Sequence, residues 1–238
     1  KHIFESVEKS LKRLGTDYVD IFFCHRYDPE TLTSETVRAI DDLIEQGKIL
    51  YWGTSMWEAK HLQEAVDEAD RFNAYWPVVE QPLYNMLDRH HVEGDLERKL
   101  DELSMGLVVW SPLAGGVLTG KYNDGVPEDS RGAQYIGTDS GMAERFNEHR
   151  LDQARQLTAL AEEYGYTMPA LALAWAMDHP NVDSVITGAT KPEHVESNLG
   201  ALEVELTSEL EEKIEDILAN RPYGSKREKS KPDEMPAL

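Results

Sequence analysis

Trp110-Ser111-Pro112-Leu113-Ala114 follows directly on Gly106-Leu107-Val108-Val109 and leads on to Gly120-Lys121-Tyr122 and Ser130-Arg131. The stretch reads as a strand that runs into a long loop bearing one lysine and one arginine. A strand end, exposed backbone and two cations together can hold a phosphorylated ligand. No strand-like segment of the chain is followed by G-x-G-x-x-G, so the dinucleotide fingerprint of an open doubly wound sheet is missing.

Around this stretch, short apolar runs recur at nearly constant spacing with helical patterns between them. Ile3, Val7, Leu11 and Leu14 share one helical face, and Gly15 is a natural stop. Tyr18–Cys24 has strand length and strand composition. The pattern then predicts a helix over Ser34–Gln46 with Val37, Ile40 and Ile44 inward, a strand over Ile49–Thr54 and a helix over Ala59–Arg71. A strand over Pro77–Gln81 and a helix over His91–Leu103 lead to Gly106–Trp110. The next interval is longer: a loop to about Gly141, then helices over Leu151–Tyr164 and Pro169–Asp178 and a fifth strand, Asp183–Thr187. Helices over Pro192–Leu202 and Ser208–Ala219 follow, the latter opening with Ser208 three residues before Glu211, a capping-box spacing.

Strands alternating with helices mean repeated βα units and a parallel sheet. The polar and glycine-bearing signals fall at the C-terminal ends of the predicted strands: His25-Arg26, Ser55, Gln81, Ser111 and Gly188. Barrels keep their chemistry there. The expected fold class is therefore α/β, a TIM-type (α/β)8 barrel seen as roughly strands 4 to 8 with their helices. The chain opens at Lys1 with no Met and no strand ahead of its first helix, so the later part of a larger barrel is expected. One barrel domain is expected over 1–224. Pro, Lys, Ser, Asp and Glu then replace apolar residues, which predicts a polar tail over 225–238.

The 238 residues carry 45 acidic and 24 basic side chains, a formal net charge of −21. Such a surface repels nucleic acid and anionic membranes, which excludes both as partners. Two readings of the charge stay open, a well-solvated acidic surface and an adaptation to high salt. No apolar run approaches the ~20 residues of a membrane-spanning helix, and no secretory leader is visible, so a cytoplasmic protein without membrane insertion is expected. Cys24 is the single cysteine and reads as a small packing residue in a reducing compartment. His90-His91 with Glu93 and Asp95 does not read as a metal site, because adjacent histidines on a helix point to different sides.

At the strand ends the chain resembles the aldo-keto reductase superfamily, in the branch that holds potassium-channel β subunits and bacterial glyceraldehyde-phosphate-type reductases. The matching pieces run nearly end to end. They are Tyr18 to Ile21, Glu35 to Ala39, Gly47-Lys48, Tyr51 to Ser55, Glu80-Gln81, Tyr84-Asn85, Trp110 to Ala114, Gly120 to Tyr122, Ser130-Arg131, Ala172 to Trp175, Ser184 to Ala189 and Asn198. The resemblance implies a barrel that binds NADPH without a Rossmann fold, and a catalytic group of Asp, Tyr, Lys and His. In that chemistry a carbonyl takes hydride from the nicotinamide, Tyr supplies the proton, Lys and Asp tune the Tyr, and His orients the carbonyl oxygen. Only the histidine has a counterpart, His25; the other three would precede Lys1. Channel β subunits often carry Asn at this place, so His25 favours a working reductase.

For the cofactor, the resemblance assigns Ser55 and Gln81 to the nicotinamide carboxamide and Trp110 to the face of that ring. Ser111, Leu113 and Ala114 go to the pyrophosphate, with Gly115 and Gly116 allowing close approach. Lys121 and Arg131 go to a 2′-phosphate, and Gly188, Thr190, His194 and Asn198 to the adenosine side. Ser197 departs from the acidic residue common near the adenine. The implied function is NADPH-dependent reduction of small aldehydes or ketones, with a small carbonyl substrate as partner and no metal. The alternative is an NADPH-binding, redox-sensing accessory subunit; a homo-oligomer is left open.

Overall fold

The computed structural model describes residues 1–138 and 143–227. The helices are α1 (His2–Leu14), α2 (Thr33–Glu45), α3 (Ala59–Phe72), α4 (Asp95–Leu103), α5 (Arg131–Tyr135), α6 (Glu148–Glu163), α7 (Met168–Met177), α8 (Pro192–Leu199) and α9 (Ser208–Leu218). Interleaved with them are β1 (Val19–Cys24), β2 (Ile49–Thr54), β3 (Val79–Glu80), β4 (Gly106–Trp110) and β5 (Val182–Ile186). The five strands form one sheet in sequence order, and β1 to β4 pair in parallel. The alternation of strand and helix thus stands as the pattern predicts, in an α/β fold.

Local chemistry explains where the boundaries differ. β3 is shorter than Pro77–Gln81 because prolines flank it and cannot donate to a ladder. Its neighbours still bond to β2, Val78 N to Trp52 O at 3.0 Å and Gln81 N to Thr54 O at 2.8 Å. α4 starts at Asp95 rather than His91, after Gly94 at a φ of 119°. α8 tightens into a 3₁₀ turn over Gly200–Glu203. The cap of α9 is Thr207, not Ser208: Thr207 has extended backbone, and its hydroxyl accepts from Leu210 N at 3.3 Å. Ser208 is already helical, and a cap must stand half outside the helix. α5 is an addition to the predicted elements; Ser130 caps it by accepting from Ala133 N.

By packing, the chain divides into two compact units: Lys1–Pro82 with Asp95–Val108, and Leu83–Gly94 with the chain from Val109. In the first unit the helices bury one face each, through Val7 and Leu11 (α1), Val37, Ile40 and Leu43 (α2), and Leu62, Ala65 and Ala69 (α3). Leu43 takes the place expected of Ile44, which is half-buried. Ile21 and Tyr51, directly paired across β1 and β2, stay 40% and 56% exposed.

In the second unit, α7 is buried almost all round, as its run of Ala, Leu and Trp requires. Fully buried Arg89 forms a polar centre beside it. Its Nε and Nη2 donate to both oxygens of Glu93 at 2.8 and 2.9 Å, and its Nη1 to Glu215 Oε2 at 2.8 Å. Two guanidiniums approach the Trp175 ring, Arg89 at 5.0 Å from its centroid and Arg227 at 3.8 Å. Ser225 donates to Glu93 Oε2 and Arg227 Nε to the Tyr84 hydroxyl at 3.0 Å. Residues 225–227, where the polar tail is expected to start, are therefore docked; the rest of that tail lies outside the described residues.

Candidate functional site

In the first unit the site residues stand just past the ends of β1, β2 and β3. His25 is exposed, one residue beyond β1. Next to it, Arg26 turns back and donates through Nη1 to His25 O and to Ser55 Oγ at 3.2 Å. Ser55, buried at the end of β2, donates its own hydroxyl proton to Gln81 O at 2.8 Å. The structure thus brings Ser55 and Gln81 together, with Arg26 against them. After Ser55 the chain turns through Met56 at a φ of 60°, a left-handed backbone that a side chain adopts only when it is held.

Glu80 holds it. Fully buried, this residue accepts from Trp57 N at 3.2 Å through Oε1 and from the Thr54 hydroxyl through Oε2. Burial pushes its carboxyl up to about 7, while Thr54, the turn amides and the Arg26 charge pull it down. Because the folded value lies above the unfolded one, Glu80 contributes stability at low pH that is lost as pH rises through about 7. Beyond the turn, the Tyr27 ring stacks on His61 at 3.7 Å and meets Trp57 edge-on at 5.1 Å, and its hydroxyl donates to Glu64 at 3.0 Å.

In the second unit, Trp110 ends β4 and is half-buried, with the Arg145 guanidinium 5.7 Å from its ring centroid. Ser111 (φ 57°) and Ala114 (φ 49°) are both left-handed, and Gly115 and Gly116 follow at 68° and 105°. The Ser111 carbonyl is fixed by Asn85 Nδ2 and Ala114 N, each at 3.0 Å. The Lys121 end lies against Gly116: a Cβ there would stand 2.8 Å from Lys121 Cε and Nζ. The Arg131 stem approaches Gly115 in the same way, with Cδ 3.9 Å from a Cβ built there. Lys121 and Arg131, ten residues apart in sequence and both exposed, therefore converge on the two glycines. Tyr122 ties the loop down, accepting from Gly132 N at 3.0 Å.

Past β5, Gly188, Thr190 and His194 are exposed and Asn198 is half-buried. His194 Nδ1 lies 3.5 Å from both Thr190 N and Thr190 Oγ1, which joins the β5–α8 turn to the helix. Leu113 packs against a small apolar cluster of Leu173, Ala174 and Ala201. Leu113 is half-buried. Glu80 and Arg145 are the neighbours that sequence reasoning missed. A carboxylate inside an otherwise apolar strand was a signal for Glu80; nothing in the sequence marks Arg145. Cys24 is half-buried, and the loss of hydration pushes its thiol up to about 12 and keeps it protonated.

Comparison with known proteins covers nearly the whole chain. The aldo/keto reductase family model covers residues 1–219. A Schizosaccharomyces pombe protein that bears the name voltage-gated potassium channel subunit beta is 44% identical over 225 residues, 93% of this chain and 65% of its own length. Proteins of the same name from Arabidopsis thaliana and Oryza sativa subsp. japonica are 45% and 44% identical over 226 residues, 68% of each. The chain thus spans about two thirds of the length of these relatives. A family match across nearly the whole chain, with relatives at this identity, places the chain in the aldo/keto reductase family.

Proposed function

We propose that this protein is an NADPH-dependent oxidoreductase that reduces small aldehydes or ketones, built on an (α/β)8 barrel to which residues 1–224 contribute strands 4 to 8. The observation that carries the reading is the convergence of Lys121 and Arg131 on the left-handed Gly115-Gly116 turn. Two cations against exposed backbone suit a phosphate-rich ligand, and a fixed guanidinium suits a 2′-phosphate. NADPH supplies the hydride in this reading. Ser55 and Gln81 orient the carboxamide, Trp110 offers its ring to the nicotinamide, Ser111, Leu113 and Ala114 serve the pyrophosphate, and Gly188, Thr190, His194 and Asn198 serve the adenosine side. His25 orients the carbonyl oxygen. The tyrosine proton donor, with its Lys and Asp, is assigned to the third of the relatives' length that the chain does not span.

The test is cofactor preference. NADPH is expected to bind more tightly than NADH, and Lys121→Ala and Arg131→Ala each to weaken NADPH by about tenfold while NADH is nearly unaffected. Fluorescence titration reads both. Equal losses for the two cofactors would sink the 2′-phosphate assignment.

The names of the relatives favour a second reading, an NADPH-holding accessory subunit of a voltage-gated potassium channel. Steady NADPH oxidation with simple aldehydes separates the two, since a sensor turns over very slowly. Among the described residues no helix is long and apolar enough to cross a membrane, and we assign the protein to the cytoplasm on either reading.

A further inference from the structure

We propose that Glu80 is a positioning residue: its carboxylate braces the Ser55–Trp57 turn from behind the sheet and sets how tightly the nicotinamide end of a dinucleotide is held. The second half of this inference rests on the function proposed above; the brace does not.

The geometry is that of two faces of one strand pair. Thr54 and Glu80 are direct partners in the β2–β3 register, so their side chains share a face, and they are hydrogen-bonded there. Ser55 and Gln81, one residue further on, emerge on the opposite face and are joined by the Ser55 hydroxyl at 2.8 Å. Glu80 makes its hydrogen bonds to Thr54 and the turn amide rather than to Ser55 or Gln81. It acts through the backbone, by holding Trp57 N at 3.2 Å and so closing the turn that passes through left-handed Met56.

The strength of that hold depends on charge. As a carboxylate, Glu80 accepts from Thr54 and from Trp57 at once, and charge-assisted bonds are roughly twice as strong as neutral ones. When protonated, one oxygen becomes a donor; the Thr54 hydroxyl must turn to accept from it, and Trp57 N is left with a neutral carbonyl oxygen. The carboxyl sits at about 7, so both forms are populated near neutrality. The surrounding groups are accounted for. Arg26, from the loop after β1, favours the charged form. Cys24, the register neighbour of Thr54 on β1, stays a neutral thiol. From α3, His61 meets Trp57 edge-on with ring centroids 6.4 Å apart.

The experiment measures NADPH dissociation constants and the backbone amide NMR shifts of Ser55–Trp57 between pH 5.5 and 8.5, in the wild type, in Glu80→Gln and in Thr54→Val. The wild-type amides are expected to titrate near pH 7, a component absent from Glu80→Gln, in which His61 and Arg26 are unchanged. The ratio of Glu80→Gln to wild-type dissociation constants is expected to be about five to ten at pH 8.5 and close to one at pH 5.5. Taking the ratio cancels titration of the cofactor's own phosphate. Thr54→Val removes one donor but keeps the carboxylate, so its amide midpoint moves upward. A purely structural glutamate would change stability and leave that ratio independent of pH, and such a result overturns the proposal, as do amides that fail to titrate. Amides that titrate in a protein that binds no NADPH at any pH uphold the brace and overturn the dinucleotide reading instead.

Discussion

Arg89→Met is expected to destabilise the protein by about 3 kcal/mol or more, because it leaves a buried carboxylate without its main partner. Both oxygens of Glu93 receive Arg89, and both side chains are fully buried. Tyr84 and Ser225 still donate to Glu93 after the change. Arg227 Nε, however, lies 3.9 Å away and cannot take over a two-pronged contact. The loss extends to α9, since the same guanidinium holds Glu215 at 2.8 Å and Asn220 at 3.2 Å. Urea midpoints measure the cost, and the double change Arg89→Met with Glu93→Leu should recover most of it, since no buried charge is then left alone. A double variant as weak as the single one would show that the cavity, not the charge, sets the loss.

The pH dependence has a definite sign. Burial works to raise the Glu93 carboxyl, but the hydrogen bonds and charge of Arg89 outweigh it and hold the group below the usual carboxylate range. A lowered value means that the pair's stability is present above the ordinary carboxylate range and is lost as pH falls through the folded value. The gap between wild type and Arg89→Met should therefore narrow in acid.

Gly53→Ala is the other change with a large expected effect, about 3 kcal/mol from overpacking together with lost ladder bonds. A Cβ at Gly53 would stand 2.4 Å from Val79 O, 2.6 Å from Val79 Cγ1 and 3.0 Å from Phe23 Cε1. The nearest obstacle is backbone, which cannot swing aside as a lysine end can. β3 must move away from β2, against the bonds from Val78 N to Trp52 O and from Gln81 N to Thr54 O. That movement also parts Ser55 from Gln81. Amide hydrogen exchange at Gln81 should accelerate along with the drop in urea midpoint. A variant within about 1 kcal/mol of wild type would mean that the strands have slack there.

Much of the fold is legible along the chain. β2 and β4 begin and end where the pattern puts them, because Gly47, Gly106 and the polar residues after each strand mark sharp local limits. β3 is overextended by pattern alone, since an apolar run between Pro77 and Pro82 looks like a strand whether or not its amides can pair. The Thr207 cap differs by one residue from the sequence expectation, and caps depend on local dihedrals that composition does not carry. At the site, Ser55 and Gln81 were legible as strand-end polar residues, and the structure joins them. Arg145 over Trp110 was not, because the two lie 35 positions apart and no period links them.

By itself the sequence determined the order of βα units, the parallel sheet, the polar strand ends and the two cations in the loop after β4. All of these follow from residue type and from periods of 2 and 3.6, which act over a few neighbours. Tertiary structure alone decided that Glu80 stands behind Ser55 as a brace, that Gly53 must be glycine because Val79 O lies against it, and that Ser225 and Arg227 close over Glu93 and Trp175. Each of these is an encounter between residues far apart in sequence, up to 132 positions for Ser225 and Glu93. Low dielectric and close packing give such encounters their weight, and both arise only once the elements have come together.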